Sequence, residues 1–407
     1  MICRGCGASN LVPFIDLGFS PISNELIPYE NSNLPESNYP LAVFACDLCG
    51  FVQIPEIASR EVLFPENYVY YSSFSSSWLE HSREYAKKMC KELNLTSSNL
   101  ALEVASNDGY LLQYFVESGV QVLGVEPSKK IAEAAQAKGI ETKIAFFGAD
   151  LARDLKNLGI SPSLMVANNV LAHVPDINDF VAGFSILLSD EGVATFEFPH
   201  LSKLIENNQF DTIYHEHYSY LSLEAIEAVF EKHGLHIYDV EQLSTHGGSL
   251  RVYVSRIGFR VKRTAELYKV AELERNWSPH SLEVVKEFRA KSFSVKLNLL
   301  DELIRLKRQG KTVVGYGAAA KGNTLLNYCG IRSDLIEFVV DRNPAKQSML
   351  LPGSHIPVLD PSELLKAKPD VVLILPWNLA EEIHSELKAT LPDSVKYLIA
   401  IPELRYL

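Results

Sequence analysis

The chain contains no long apolar run. Its longest strongly apolar stretch near the C-terminus, VVLIL, is strand-sized, against the roughly 20 residues that a spanning helix needs. The first ten residues, MICRGCGASN, lack a basic segment followed by an apolar core. No export signal is therefore expected, no membrane association, and a cytoplasmic location. Positive charge is also short: Lys and Arg number 38 against 50 Asp and Glu, for a net charge of −12. A surface for nucleic acid needs clustered cations, so nucleic acid is excluded as a partner. A local basic pocket for a small phosphate ligand is not. Low-complexity tracts and internal sequence repeats are missing. Cysteine is sparse, with six in 407 residues, but four of them fall into two pairs. In a reducing compartment such pairing points to metal rather than disulfides.

What is present is the composition of a globular protein, 47% hydrophobic and 22% charged, on a chain long enough for two or three domains. The pairs are Cys3-Arg-Gly-Cys6-Gly and Cys46-Asp-Leu-Cys49-Gly, with residues 7 to 45 between them. A two-residue gap lets both thiolates of a knuckle reach one tetrahedral Zn²⁺. Gly7 and Gly50 permit the tight turn in which backbone N–H groups face the sulfurs. Four thiolates fill the shell, so Cys3, Cys6, Cys46 and Cys49 are expected to hold a structural zinc. The competing redox reading would use one Cys-x-x-Cys at a helix start. Cys90 and Cys329 read as buried small apolar residues.

From about residue 70 to 258, apolar strands (LALEVAS, QVLGVEP, LMVANNV, GVATFEF) alternate with stretches of helical periodicity, the pattern of a mostly parallel α/β sheet. Residues 262–309 read as long connecting helices ended by Gly310. A second, smaller α/β alternation follows. In the first alternation Glu103 closes a strand, Ser-Asn-Asp-Gly precedes a helix, and Glu126 ends the next strand. A carboxylate at that second position suits the hydroxyls of an adenosine ribose. Ala105 and Gly109 are small enough for close backbone approach, and Asn107 and Asp108 can bond polar groups of a ligand. A dinucleotide would require a glycine-rich turn, and this loop has one glycine. The pattern therefore suits S-adenosylmethionine better than NAD, although an acid at a strand end can serve for capping alone. Asn168 and Asn169 follow the next strand, where strand ends face a ligand crevice, with His173 a turn further on.

Three further segments stand out. TIYHEHYSYL sets His215, Glu216 and His217 among tyrosines. A metal there would need a third protein ligand, and no partner motif is visible. As proton-transfer groups, a histidine titrates near neutrality and a neighbouring carboxylate orients it. The structural alternative has the tyrosines packing and the histidines capping a helix. THGGSLR offers His246, two glycines and Arg251, either as a close backbone approach to a ligand or as a hairpin turn. VVGYGAAAKGNTLLN joins a strand to a helix through small residues and Lys321, a weak anion-binding pattern. Asp341 and Trp377 could belong to the same pocket or be structural.

Together the two knuckles, EVASNDGYLL, NNVLAHVPD, YHEHYSYLS, STHGGSLR and VVGYGAAAKGNTLLN resemble the nucleotide-sugar C-methyltransferases, which add a branching methyl to 4-keto-deoxysugars. The order matches over nearly the whole chain, and Ala105 stands where that family often has glycine. The resemblance implies three domains, a zinc-binding one at 1–69, a Rossmann-like S-adenosylmethionine domain at 70–258 and a Rossmann-like α/β domain at 259–407. It also implies His217 as the general base, beside Glu216 and Tyr214, with His173 and one tyrosine of ENYVYYSS, Tyr68 or Tyr70. Such chemistry removes a proton alpha to a ketone and stabilises an enolate. The expected function is C-methylation, at C3, of a nucleotide-diphosphate-linked 4-keto-6-deoxyhexose. His246, Arg251, Gly317, Lys321 and Asn323 are expected to bind the substrate, with its pyrophosphate at Lys321. The expected oligomeric state is a monomer or weak homodimer. The rivals are an O- or N-methyltransferase on a similar sugar, a non-catalytic nucleotide-sugar-binding protein, and a nicotinamide oxidoreductase.

Overall fold

The computed structural model describes residues 1–57, 63 and 71–407. The chain divides into two compact units. One comprises Met1–Leu11, Cys46–His200 and Tyr218–Asn276, and the other Val12–Ala45, Leu201–His217 and Trp277–Leu407.

The first unit is built on strands β1 (Leu100–Val104), β2 (Gln121–Val125), β3 (Thr142–Lys143), β4 (Leu164–Asn168), β5 (Val193–Pro199), β6 (Leu235–Leu243) and β7 (Ser249–Arg256). Their spatial order is β6-β7-β5-β4-β1-β2-β3. β1 to β5 run parallel, and β7 is antiparallel to both β5 and β6. The strand order reverses at β1, which puts the ligand crevice outside the carboxyl ends of β1, β2 and β4. Successive residues of β1 and β4 enter opposite cores. Leu102, Val104, Met165 and Ala167 join one, while Ala101, Leu164 and Val166 join the other. Burial on both faces is why these strands read as near-continuous apolar runs.

On one side Phe147, Phe184, Phe196 and Phe230 form a ladder with centroid spacings of 5.2, 4.5 and 4.8 Å, within the range of favourable aromatic pairs. The other side is covered by α1 (Ser76–Glu92), which contributes Tyr85, Ala86 and Met89, and by α2 (Leu112–Glu117). Helices α3 (Lys129–Ala137), α4 (Ala149–Asn157), α5 (Ile177–Leu187) and α6 (Leu223–Lys232) supply the remaining cover. Side chains cap three starts: Ser75 accepts from Trp78 N, Asp176 from Asp179 N, and Ser222 from Ala225 N, each contributing about 1 kcal/mol. A two-residue strand at Ser219–Tyr220 pairs antiparallel with Val52–Gln53.

The connecting helices are α7 (Ala265–Asn276) and α8 (Leu282–Arg308). Gly310, with φ +70°, ends the second as expected. The second unit's sheet has β8 (Val313–Tyr316), β9 (Val339–Val340), β10 (Met349–Leu350), β11 (Pro357–Leu359), β12 (Val371–Ile374), β13 (Lys396–Ile399) and β14 (Arg405–Tyr406). Their order is β14-β13-β12-β8-β9-β11-β10, extended by Ile27–Pro28 at the edge beyond β10. Parallel pairing at its centre makes this a second Rossmann-like α/β layer, with α9 (Ala320–Cys329) following β8 and α10 (Ala380–Lys388) packing in the core. Among the described residues no helix is long and apolar enough to cross a membrane.

The loop after β1 is conformationally demanding. Ala105 and Asn107 have φ of 56° and 49°, and Gly109 has 77°. A Cβ at Gly109 would lie 2.3 Å from Ile140 Cδ1, whereas one at Gly119, also at φ 77°, would meet nothing within 4 Å. Gly119→Ala is therefore expected to cost only the left-handed strain, about 1–2 kcal/mol. Gly109→Ala should add about 1–3 kcal/mol of overpacking. Denaturant titration of the two variants beside wild type checks this, and equal destabilisation would show that Ile140 yields without cost.

Candidate active site and metal centre

The zinc knuckles come together as expected. The four sulfurs lie within 4.8 Å of one another, with Cys3 and Cys49 3.6 Å apart and Cys6 and Cys46 3.7 Å apart. Zn–S bonds of about 2.3 Å in a tetrahedron put sulfurs about 3.8 Å apart, so the donor set fits. Backbone N–H groups of Cys6, Leu48, Cys49 and Phe51 face the sulfurs and favour the thiolate form. Gly7 N donates to Cys3 O and Gly50 N to Cys46 O, closing each turn at positive φ. Arg4, inside the first knuckle, donates from Nη1 to Ile54 O (2.7 Å) and Tyr218 O (3.0 Å).

At the crevice of the first unit, Glu126 accepts from Asn107 N (3.1 Å) through one oxygen and from Ser128 N (2.9 Å) through the other. Burial outweighs these bonds and pushes its carboxyl up to about 7. Asn107 Oδ1 accepts from Ser72 N, and Asp108 pairs through Oδ2 with Lys138 at 3.1 Å. Oδ1 of Asp108 and Oδ1 of Asn169 are buried without a hydrogen-bond partner, and the buried acceptors of Glu103 and Asn168 share the single Tyr110 hydroxyl. Burial raises the Glu103 carboxyl well above its usual range, with the Tyr110 hydroxyl opposing. A ring of acceptors in need of donors fits S-adenosylmethionine, which carries an α-ammonium and two ribose hydroxyls. Ala105, Asn107, Asn169 and His246 all sit at left-handed φ, a strain that tends to gather at functional sites.

His246 lies in the Thr245–Gly247 turn of the hairpin between β6 and β7, and its Nε2 is 2.9 Å from Asn169 Nδ2. The Trp78 ring lies 5.2 Å from His246 and 5.0 Å from His81. Arg251, expected at the substrate, has its fork occupied, with Nη2 to Glu197 at 2.5 Å and Nη1 to Glu241 at 3.1 Å. It is 2% exposed and lies over the Tyr85 ring. Glu197 also accepts from Thr245 Oγ1 and pairs with His81 Nε2 (both 2.9 Å). Burial would raise the Glu197 carboxyl, but the His81 bond and the Arg251 charge overcome it and hold it at about 2. Sequence reasoning missed Trp78, His81 and Glu197. Only Glu197 left a signal, as the single charge in the apolar run VATFEFP. His173 ends the turn Leu171–His173, half-buried, four residues beyond Asn169.

In the second unit the rings of His215 and His217 hold different partners. His215 Nε2 donates to Pro40 O at 3.3 Å, its ring edge-on to Tyr39, and burial lowers its pKa. His217 Nδ1 lies 2.8 Å from Thr212 O, and Nε2 lies 2.9 Å from the Tyr214 hydroxyl. A carbonyl can only accept, so the ring proton sits on Nδ1 and the lone pair on Nε2 faces the phenol. Glu216 is buried and accepts from Asn24 Nδ2 (3.0 Å) and Asn24 N (3.3 Å). Burial pushes its carboxyl up to about 7. Asn24 gave no signal in the sequence. Tyr68 and Tyr70 lie outside the described residues. Among the described residues, the four cysteines form the one cluster of three or more ligands within reach of a single ion.

The turn after β8 holds Gly317 at φ 87°, where a Cβ would lie 2.6 Å from Pro376. Close packing alone thus requires glycine there. Lys321 donates to Asn378 Oδ1 at 2.7 Å, and Asn323 is 1% exposed with both amide atoms unpartnered. Asp341 accepts from Ala318 N at 2.7 Å.

Family models match for a C-methyltransferase C-terminal domain over residues 244–402, a methyltransferase domain over 79–240 and a zinc binding domain over 3–64. C-methyltransferase NovU of Streptomyces niveus is 33% identical over 403 residues, 99% of this chain and 96% of its own. Among solved structures, magnesium protoporphyrin IX methyltransferase of Synechocystis PCC 6803 with bound SAM is 17% identical, with a TM-score of 0.34 over 44% of this chain and 79% of that one. An S-adenosylmethionine-dependent methyltransferase from Clostridium acetobutylicum ATCC 824 is 16% identical, with a TM-score of 0.36 over 44% and 92%.

Purified protein should contain about one zinc per chain by elemental mass spectrometry. Cys46→Ala should lose it and melt at a lower temperature, because closed thiolate sites contribute folding energy directly. Full zinc occupancy in that variant would remove the cysteines as the ligand set.

Proposed function

Because this chain belongs to the C-methyltransferase family and depends on S-adenosylmethionine, we propose that it methylates C3 of a nucleotide-diphosphate-linked 4-keto-6-deoxyhexose, in the biosynthesis of a branched-chain sugar. The observation that carries this reading is the hydrogen-bonded chain from Thr212 O through His217 to Tyr214. It presents a basic nitrogen, oriented from behind, with a hydroxyl donor beside it.

In this reading His217 Nε2 takes the proton from C3, whose acidity comes from the adjacent C4 ketone. The C–H electron pair becomes the enolate, with charge on the C4 oxygen. The Tyr214 hydroxyl, which faces Nε2 in the unliganded chain, turns to that oxygen and donates to it. The Thr212 carbonyl holds the imidazolium that forms through Nδ1–H. Glu216, whose carboxyl burial pushes up to about 7, is only partly ionised near neutrality and so adds less negative charge against the enolate than an ordinary carboxylate. When bound, S-adenosylmethionine supplies the methyl that the enolate carbon takes up. Glu126, Asn107, Asp108, Asn168 and Asn169 are the residues we assign to holding it, with Glu103 and Gly109 shaping the pocket. His173 is assigned to the substrate side, and Lys321 and Asn323 to its diphosphate.

His217→Asn is expected to lower turnover about 10²–10⁴-fold while leaving S-adenosylmethionine affinity within a factor of two. Mass spectrometry with a panel of nucleotide-4-keto-6-deoxyhexoses reads the gain of one methylene, and NMR locates the methyl. Wild-type protein in D₂O should also exchange the C3 hydrogen, and the variant should not. A methyl placed on oxygen, or C3 exchange that survives in the variant, would sink the assignment.

A further inference from the structure

Asp211 lies in the turn Phe210–Thr212 and is closed to solvent. Its Oδ2 accepts from Trp377 Nε1 at 2.8 Å, and its Oδ1 has no hydrogen-bond partner. The same indole carries the Lys321 ammonium over its face, 4.6 Å from the ring centroid. Lys321 donates to Asn378 Oδ1, which uses one of three ammonium hydrogens. Lys321, Trp377 and Asn378 are each half-buried, so a ligand can reach them while Asp211 stays sealed beneath. Carboxyl and ammonium act on each other through space, without a shared hydrogen bond.

We infer that Asp211 is the buried counter-charge of an anion site at Lys321, and that a nucleotide diphosphate docking there drives a proton onto Asp211. The inference rests on the nucleotide-sugar reading above. A diphosphate esterified at both ends carries two negative charges near neutrality. Docked on Lys321 it takes over the ammonium that compensates Asp211 and adds repulsion across a poorly screened gap. The acid form of Asp211 then wins, the proton coming from solvent.

In the free protein burial already raises Asp211 to about 7, against the pull of Lys321 and the Trp377 N–H. The liganded value is higher still, so above about pH 7 the complex binds more protons than the free protein. Affinity must fall as pH rises through that window, by up to about tenfold per pH unit. Below pH 7 Asp211 is largely protonated in both states, and affinity is flat. Cys329 on α9, raised to about 12 by burial with Lys296 and Asp211 nearby, does not titrate in the window. Lys296 on α8 is engaged with Tyr328, and Lys203 and Glu206 on the short helix Leu201–Glu206 pair with each other. Glu216 does titrate near 7, so a substitution at Asp211 has to separate the two.

The test is isothermal titration of the full chain with TDP-, UDP- and GDP-glucose at pH 7.5 and 8.5, in two buffers of different ionisation enthalpy. These ligands have no titrating phosphate in that range. Wild type should take up a proton, approaching one per ligand, and bind up to about tenfold more weakly at pH 8.5. Asp211→Asn keeps an acceptor for Trp377 Nε1, and should show no uptake and equal affinity at both pH values. If that variant does not fold, Asp211→Ser replaces it. Binding without uptake, or uptake that persists in a folded variant, overturns the role of Asp211 and leaves the substrate reading intact. If none of the three ligands binds, the substrate class fails and the inference falls with it.

Discussion

The ion pair between Glu197 and Arg251 is the constraint around which the first unit is arranged. It joins β5 to β7 where both partners are almost wholly closed to solvent, and a pair so placed survives only when its remaining polar atoms are also satisfied. Partners spread across the unit satisfy all of them but Arg251 Nε: His81 on α1, Thr245 in the β6–β7 turn, and Glu241 on β6 with Lys88 and Tyr253 behind it. Thr245 fixes the turn that presents His246, and His246 meets Asn169 at the end of β4. Removing one member of a buried pair costs about 3–5 kcal/mol, because the other is left charged and unpaired. The crevice geometry therefore depends on this one ion pair.

A second dependence runs through the zinc. Arg4 lies between Cys3 and Cys6, and it ties both Ile54 O and Tyr218 O, as well as lying 5.3 Å from the Tyr218 ring. Gln53 closes the same arrangement from the other strand, accepting from Arg4 N and donating to Ile2 O. Tyr218 directly follows His217 in the chain. A metal with no open coordination position can thus matter to the first unit by fixing the backbone at Ile54 and Tyr218.

Much of this was legible in the sequence because it obeys local rules. The two knuckles, the strands from LALEVAS to GVATFEF and the glycine end of α8 are short-range patterns. The Glu103 and Glu126 placements follow from strand ends alone. Asn24, His81, Trp78 and Asp211 were not legible. Each also acts through a partner far away in the chain, 192 residues in the case of Asn24 and Glu216, and no local spacing reports such a pairing. Gly317 shows the opposite limit. Its glycine was visible, but close packing against Pro376 explains it as well as a ligand does, and one sequence cannot divide the two causes. Arg251 was visible for its charge, while the acids that occupy it lie on separate strands.

The buried acids show how the protein is poised for its ligands. Glu126, Asp211 and Glu216 start from ordinary values of 4.5, 3.8 and 4.5, and burial carries each to about 7. For such groups the folded state binds protons more tightly than the unfolded chain. Their contribution to stability is complete below about pH 4 and is lost as pH rises through about 7. Glu197 works the other way, since its value is depressed to about 2. It supports the fold above its unfolded value and ceases to do so only in strong acid. Near neutrality the chain thus keeps its sheet ion pair at full strength while Glu126, Asp211 and Glu216 sit close to half-ionised and under-solvated. A donor brought by a ligand to Glu126 returns part of that desolvation as binding free energy, whereas Glu197, already saturated, has nothing to return. Rigidity and responsiveness are therefore assigned to different carboxylates, according to whether the fold or a ligand supplies the compensating charge.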